Sequence, residues 1–221
     1  MIKAVEILQR HFRARRMKLL AKAAGLTHEM RVLDVGGTID IWRLAPVIPR
    51  LVLLNQARAR YEIGAGEEIV LGDGVSLPFA DQSFDLVFSN SVIEHIASRT
   101  EQERFAAEIA RVGKRYWVQT PNRYFPIEHH LWTPFVHWLP RSWQAAIVKR
   151  FSVWRLLTRY EANQREFYLN HYLDSIRLLS AADMHELFPG ATVVRERFFG
   201  WTKSLIAWHD LARDDDKPGV T

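Results

Sequence analysis

Five short apolar segments constrain the fold of this chain more than any other feature. Turn-forming residues stand at their ends, and the segments cover residues 31–35, 51–55, 68–73, 84–90 and 116–122. Short apolar runs of this kind are typical of strands buried in a parallel sheet. A helical pattern lies between two of them at 100–112, where Thr100 and Glu103 form a predicted capping box. The alternation of strand and helix predicts a Rossmann-like, doubly wound, mostly parallel α/β sheet.

Two further apolar segments complete a predicted sheet of seven strands. Residues 192–200 and 202–210 meet at Gly200, which favours an antiparallel pair of strands at the sheet edge. Between the fifth strand and this pair we expect an aromatic and mostly helical insertion. We expect one domain with five parts: a basic N-terminal helix (1–28), a ligand-binding core (30–122), a helical aromatic cap (123–188), a closing strand pair (189–211) and a disordered tail (212–221).

Composition excludes several classes of protein. The 221 residues, 48% of them hydrophobic, are enough for one complete core. The chain has no cysteine, which excludes disulfides, thiolate metal sites and a cysteine nucleophile. We find no signal-peptide pattern and no run of 18 uncharged apolar residues, so we expect a soluble, cytoplasmic protein.

The positive charge is concentrated at the N-terminus. Residues 1–22 contain seven lysines and arginines against a single acid, Glu6. We expect an amphipathic helix whose apolar stripe consists of Ile2, Val5, Leu8, Phe12, Leu19 and Ala23. Such a helix can pack on its own domain, or it can lie on an anionic surface of lipid or nucleic acid. Peripheral membrane contact through this helix is one expected interaction.

The predicted strands deliver glycine or polar residues at their carboxyl ends. These residues are Asp34, Gly36 and Gly37 after the first strand, Asn55 and Gln56 after the second, Asp73 and Gly74 after the third, Asn90 and Ser91 after the fourth, and Thr120 and Asn122 after the fifth. A glycine pair alone indicates only a tight turn. Five polar strand ends together predict a ligand site, because open α/β sheets bind ligands at this edge and buried polar groups need partners.

Three stretches resemble the class I S-adenosylmethionine-dependent methyltransferases of the type 11 group. They read VLDVGG at 32–37, GDGVSLPFADQSFDLVFSNSVIEHI at 72–96 and RVGKRYWVQTPN at 111–122, and the second is the most specific. The resemblance implies that S-adenosylmethionine is the cofactor and that the chain is an enzyme. It also implies the cofactor-binding residues: Asp34, Gly36 and Gly37 face the methionine and ribose, Asn55 and Gln56 the ribose, Asp73 and Gly74 the adenine, and Asn90 and Ser91 the methionine portion.

Two positions depart from the pattern of that group. Asn55 stands where an acid usually binds the ribose hydroxyls, and Thr38 replaces the usual third glycine. We expect weaker cofactor affinity, because an amide binds a diol without charge assistance. The competing class, a nicotinamide-dependent dehydrogenase, needs a third glycine opening the first helix and an acid on strand two, and this chain has neither.

The residues after the fifth strand suggest an acceptor site. The first candidate general bases are His130 and His129, because histidine titrates nearest neutrality. His95, which follows the fourth strand, is the next candidate. A metal site at Glu128, His129 and His130 is disfavoured because adjacent side chains rarely point at one ion. Each histidine alone is also compatible with a structural hydrogen bond.

The cap is rich in tryptophan, with four between 131 and 155, and in arginine and lysine. This composition fits either a small core within the cap or an apolar mouth for a hydrophobic or lipid-linked acceptor. We expect methyl transfer to a small-molecule or lipid-like acceptor, with oxygen favoured over carbon and nitrogen as the accepting atom. Two alternatives stay open: a methyltransferase-like module that binds cofactor or a partner without turnover, and an RNA methyltransferase. The second is disfavoured because SNSVIEH replaces the Asn/Asp-Pro-Pro-aromatic motif of base-methylating enzymes.

Overall fold

The computed structural model describes residues 2–56, 68–128, 133–151 and 176–210. His129, His130, the middle of the predicted cap and the predicted tail therefore lie outside the described residues. Nine strands are present in this part of the chain: β1 (Arg31–Val35), β2 (Arg50–Asn55), β3 (Glu68–Leu71), β4 (Leu86–Asn90), β5 (Arg115–Pro121), β6 (Ile127–Glu128), β7 (Thr133–Pro134), β8 (Thr192–Phe198) and β9 (Trp201–Asp210). The described helices are α1 (Ile2–Ala24), α2 (Ile39–Trp42), α3 (Arg99–Val112), α4 (Arg141–Phe151) and α5 (Ala181–Leu187), with 3-10 turns at Ile93–His95 and Val136–Trp138.

Seven of these strands form one sheet in the order β3-β2-β1-β4-β5-β9-β8. The first five strands pair in parallel, β9 pairs antiparallel with β5, and β8 pairs antiparallel with β9. The predicted doubly wound, mostly parallel seven-stranded sheet with an antiparallel edge is confirmed. The sequence pattern did not predict the small hairpin of β6 and β7, which lies after β5.

Helices cover both faces of the sheet. On one face α1 and α2 bury Met17, Leu20 and Trp42 against residues of the central strands, Phe88 and Trp117 among them. The opposite face carries α3 and α5, whose side chains join a second cluster. Side chains alternate between faces along a strand, so each buried strand supplies both clusters. This explains why the strands are apolar without alternation.

The inward face of α1 differs from the predicted stripe. Leu8 and Leu19 are 38% and 43% exposed, whereas Phe12, Arg16, Met17, Leu20 and Ala24 are buried. The prediction was wrong for Leu8 and Leu19 because it assigned every cation to the solvent side. Arg16 is only 5% exposed, and its place on the inward face sets the rotation of the helix.

The N-cap of helix α3 is Ser98, two residues before the predicted cap at Thr100. The Ser98 hydroxyl accepts the backbone N–H of Glu101 at 3.1 Å and donates to the Glu101 carboxylate at 2.9 Å. Two overlapping Ser/Thr-x-x-Glu patterns occur here, and the structure uses the first, so the prediction for Thr100 and Glu103 was wrong.

Within the described ranges, no helix combines the length and hydropathy needed to cross a bilayer.

Candidate active site

A cavity of about 410 Å³ opens at the carboxyl edge of the parallel strands. Its walls come from α1, the turn after β1, α2, the ends of β4 and β5, and the start of β9. Four of the predicted cofactor-binding residues line it: Gly36, Gly37, Asn90 and Ser91. The structure therefore brings the ends of β1 and β4 together around one space, and its volume is within the usual range of small-molecule sites.

The turn after β1 requires both of its glycines, for different reasons. Gly36 has a φ of +78°, which favours glycine, and a Cβ there would lie 2.6 Å from the Val92 side chain. A Cβ on Gly37 would overlap the carboxylate of Asp34. Thr38 has an extended backbone, with φ −133°, so the missing third glycine is not needed for this path of the chain. The turn thus presents bare backbone to the cavity.

Asp34 lies beneath this turn and does not line the cavity. It is fully buried, and Trp42 Nε1 donates to its Oδ2 at 2.8 Å. Its Oδ1 has no hydrogen-bond partner among the described residues. Burial raises the pKa of Asp34 to about 7, and the hydrogen bond from Trp42 opposes this shift. A buried carboxylate with one unsatisfied oxygen fits a cationic or proton-donating ligand group in the turn.

The ends of β2 and β3 lie beside the cavity rather than in its wall. Asn55 is buried, and its amide donates to the Gly37 carbonyl at 3.0 Å, so it holds the glycine turn. Gln56 is exposed. The exposed Asp73 accepts the backbone N–H of Val75 at 3.1 Å, which forms a turn and ends β3 before the predicted residue 73.

Gly74 has a packing role. A Cβ there would lie 2.8 Å from the ring of Phe105 on α3. Asp73 and Gly74, the two residues predicted to face the adenine, both lie shortly after β3. Their contact with a cofactor stays a prediction.

The end of β4 is held by contacts from other elements. Asn90 Oδ1 accepts a short hydrogen bond from Arg16 Nη1 on α1. Ser91 has a φ of 57°, and its backbone N–H donates to the Gln119 carbonyl at 2.9 Å. The Ser91 hydroxyl contacts Gln119 Oε1 at 3.1 Å. These bonds fix the strand end against β5 in a conformation that non-glycine residues seldom adopt.

The candidate bases fall in different places. His95 is exposed and does not line the cavity, whereas its neighbour Glu94 is fully buried and does. Thr120 Oγ1 donates to Glu94 Oε2 at 3.0 Å. His129 and His130 lie outside the described residues, so their role as bases, and the disfavoured metal site there, remain predictions.

The sequence interpretation missed three cations of the cavity wall: Arg13, Arg16 and Lys203. Arg16 Nη1 also donates to Gln119 at 2.9 Å, and its Nη2 pairs with Glu196 at 2.7 Å. The spacing of four residues from Phe12 to Arg16 to Leu20 was the available signal, since it places all three on one helix face.

The residues at this edge can be compared with the needs of the cofactor that the sequence resemblance implies. An S-adenosylmethionine site needs backbone near the methionine and acceptor groups for cationic and amine donors. The glycine turn supplies the backbone, and the exposed carboxylate of Asp73 beside the cavity supplies an acceptor, while the unsatisfied oxygen of Asp34 lies under the turn. The described residues thus fit the cofactor of the class I methyltransferases.

Comparisons with known proteins agree. Residues 49–116 match the family model described as a methyltransferase domain. A curated protein of Encephalitozoon cuniculi, named "Putative methyltransferase", is 48% identical over 92 residues, which is 40% of this chain and 42% of that protein. The match therefore spans less than half the length of that relative. Residues 49–116 therefore carry the likeness to methyltransferases, which confirms the resemblance seen in the motif at 72–96.

Two solved structures share the fold over nearly the whole chain. Magnesium protoporphyrin IX methyltransferase from Synechocystis PCC 6803, solved with bound S-adenosylhomocysteine, has a TM-score of 0.53 at 12% identity, covering 93% of this chain and 84% of its own. A protein named "putative methyltransferase", in complex with the Haloferax volcanii Trm112 methyltransferase activator, has a TM-score of 0.50 at 19% identity, covering 94% of this chain and 91% of its own. At these identities the likeness extends to the fold alone.

Proposed function

We propose that this protein transfers a methyl group from S-adenosylmethionine to a small-molecule or lipid-like acceptor, at oxygen. The observation that carries the proposal is the single cavity that joins the Gly36–Gly37 turn to the buried carboxylate of Glu94. A hydroxyl acceptor must lose a proton when it is methylated. A methyl-donor site and a proton acceptor in one cavity match that requirement.

Different residues of the chain are assigned to binding the cofactor and to positioning the cavity wall. When bound, S-adenosylmethionine supplies a methyl group activated on a sulfonium. The turn at Gly36 and Gly37 binds its amino-acid portion through backbone groups, and Asp73 accepts from the adenine amine. Asn90 and Ser91, held by α1 and β5, fix the wall beside the methionine portion.

Glu94 is the group we assign to proton removal among the described residues. Its Oε2 is held by Thr120, which orients the carboxylate at the cavity wall. His129 and His130, predicted from the sequence, are the alternative bases. The two assignments differ in their expected kinetics, so mutation separates them.

Calorimetric titration with S-adenosylhomocysteine tests the cofactor half of the proposal. We expect binding to the wild type, no binding of NAD, and about tenfold weaker binding to Asp73→Asn, because a hydrogen bond to a charged group contributes ~1.5–3 kcal/mol. Asparagine can still accept the Val75 N–H, so the turn is retained. The matched control is Asp81→Asn, an exposed aspartate that pairs with Arg111. Folded protein that binds no S-adenosylhomocysteine would refute the proposed function.

Turnover of hydroxyl-bearing acceptors tests the base. We expect Glu94→Gln to lower kcat by ~10²–10⁴-fold with unchanged cofactor affinity, as for loss of a general base. Glutamine still accepts from Thr120, and the control Glu103→Gln changes an exposed acid on α3. If His129→Ala or His130→Ala lowers kcat and Glu94→Gln does not, the base is the histidine.

The surface beside the cavity supports a hydrophobic acceptor and work at a membrane surface. The hairpin of β8 and β9 exposes Phe199 by 88% and Trp201 by 54% at its tip. The tip meets α1, where the rings of Phe198 and Phe12 lie 5.4 Å apart. Exposed aromatics beside a basic helix are typical of interfacial attachment. We therefore propose a cytoplasmic protein that contacts the membrane through α1 and this tip.

A further inference from the structure

The wall of the cavity nearest β9 carries a cluster of three cations, Arg13, Arg16 and Lys203, which we call the cation cluster. Arg13 and Arg16 come from α1, whereas Lys203 comes from β9, 187 positions after Arg16 in the chain. Tertiary structure alone brings them together. Like charges gathered in a partly enclosed space repel one another, so a feature of this kind calls for an opposing charge.

The carboxylates of the described residues leave this cluster incompletely neutralised. Glu196 is bonded to Arg16 at 2.7 Å and forms a longer ion pair with Lys203 Nζ at 3.8 Å, so one carboxylate serves two of the three cations. Of the two acids that line the cavity, Asp40 pairs with Arg43 at 2.9 Å and Glu94 accepts from Thr120.

Two donors of the cluster are suited to an incoming ligand. Lys203 is largely buried, with its side chain 14% exposed, and its ammonium lies 4.1 Å from the centre of the Phe12 ring. Arg16 is 5% exposed, and its Nε has no hydrogen-bond partner in the described part of the chain. A buried charged donor without a partner is costly, which indicates that a ligand completes its bonding.

The order of the strands places Lys203, but not Arg16, away from the proposed cofactor residues. Those residues follow β1 to β4, and β9 lies two strands beyond β4 in the sheet. Adjacent strands are ~4.8 Å apart, so Lys203 stands on a strand ~10 Å past the proposed methionine end. Lys203 therefore lies on the acceptor side of the cavity, and Arg16, which bonds to Asn90, lies where the two sides meet.

We propose that the cation cluster binds an acidic group, a carboxylate or a phosphate, carried by the methyl acceptor. This inference rests on the proposed function and narrows its substrate class to acidic molecules. The arginine forks suit bidentate contact with either anion, and the ammonium supplies a point charge beside them.

Titration of inorganic phosphate into protein saturated with S-adenosylhomocysteine tests the cluster directly. We expect saturable binding that weakens at least tenfold in Lys203→Met and in Arg13→Met. The matched controls, Lys114→Met and Arg104→Met, remove an ion-paired lysine and an exposed helical arginine away from the cavity, and their binding should equal that of wild type. Absence of saturable phosphate binding, or equal binding by Lys203→Met, overturns the proposal.

A second comparison distinguishes an acceptor anion from the carboxylate of the cofactor itself. S-adenosylhomocysteine carries that carboxylate, whereas 5′-methylthioadenosine lacks the amino-acid tail. We expect Lys203→Met to bind both with wild-type affinity. If the variant weakens S-adenosylhomocysteine alone, or if phosphate competes with it, the cluster serves the cofactor and the inference is wrong.

The same titration is run without S-adenosylhomocysteine, which keeps the two proposals separate. Phosphate binding that depends on Lys203 supports the acidic subsite even if the nucleoside does not bind. Nucleoside binding without phosphate binding leaves the methyl-transfer proposal standing and refutes only the acidic subsite.

The pH dependence of phosphate binding gives an independent readout. Burial lowers the pKa of Lys203 to about 8; Arg16 and Arg13 lower it too, and Glu196 raises it. A bound anion stabilises the ammonium, so binding takes up protons near this pH and weakens as pH rises through about 8. The Lys203→Met variant should lose that dependence.

Discussion

The two sides of the cavity are built in different ways. On the cofactor side, the glycine turn, Asn55 and Asp34 lie within about two dozen residues of one another in the sequence, and backbone geometry dominates. On the acceptor side, Arg16 bonds to Gln119 and to Glu196, which is 180 positions away. One side is thus a local motif, and the other is assembled only when α1 docks on the sheet. The comparison shows why local sequence motifs support a proposal for the cofactor and give none for the acceptor.

The largest expected effect on stability comes from removing the Arg16 guanidinium, which joins α1 to the acceptor side of the cavity. We expect Arg16→Met to lower the free energy of unfolding by ~3 kcal/mol, because it leaves the half-buried Glu196 without its hydrogen-bonded partner and with only the longer ion pair to Lys203. Urea denaturation measures the change. The double variant Arg16→Met with Glu196→Gln should recover part of the loss, and a cost below ~1 kcal/mol for the single variant would show that α1 docks without this contact.

On the cofactor side, Asp34 makes stability depend on pH. Its folded pKa of about 7 lies above the ordinary value of 3.8, so the folded state holds a proton that the unfolded state releases. Its contribution to stability is therefore complete below pH 3.8 and is lost as pH rises through about 7. We expect Asp34→Asn to remove this dependence and to gain up to ~4 kcal/mol over wild type above pH 7, at ~1.4 kcal/mol for each pKa unit.

Denaturation curves at pH 5 and pH 8 provide the measurement for Asp34. Asparagine can still accept from Trp42 Nε1, so the local fold is retained. The gain should be larger at pH 8 than at pH 5. An equal effect at both pH values would mean that Asp34 does not titrate in this window.

A smaller effect tests whether the glycine turn is as local as it looks. We expect Gly37→Ala to cost ~1–3 kcal/mol by overpacking against Asp34 and to abolish calorimetric binding of S-adenosylhomocysteine. The control Gly25→Ala carries the strain of a φ of +60° with no contact for its Cβ within 4 Å. Retained binding in Gly37→Ala would contradict the close backbone approach.

The smallest expected effect concerns the surface of the acceptor side. We expect Phe199→Ser and Trp201→Ser each to weaken binding to phosphatidylcholine vesicles containing phosphatidylglycerol by ~1 kcal/mol, about fivefold, since these rings add apolar burial. The control Ile48→Ser changes an exposed apolar residue elsewhere. Co-sedimentation measures the change, and equal binding by all three variants would remove the tip from the proposed membrane contact.

Most of the sheet could be predicted from the sequence, and the reasons are physical. Strands buried on both faces must be apolar, so β1, β2, β4 and β5 stand out within one or two residues of their bounds. The polar residues at their ends stand out because they interrupt those runs. β3 was predicted to extend to residue 73 but ends at Leu71, because Asp73 forms a turn with Val75. A hydrogen bond from a side chain to the backbone two residues later cannot be recognised from the pattern of apolar residues.

The sequence by itself determined the doubly wound sheet, its antiparallel edge and the motifs that resemble a methyltransferase domain. These follow from local periodicity and from glycines whose backbone or packing admits no side chain. Only the tertiary structure decided that Arg16 points inward, that Lys203 joins it and that Glu94 rather than His95 lines the cavity. The charge of a side chain can be read from the sequence, but its partners are fixed by the rotation of a docked helix and by the order of strands that are distant in the chain.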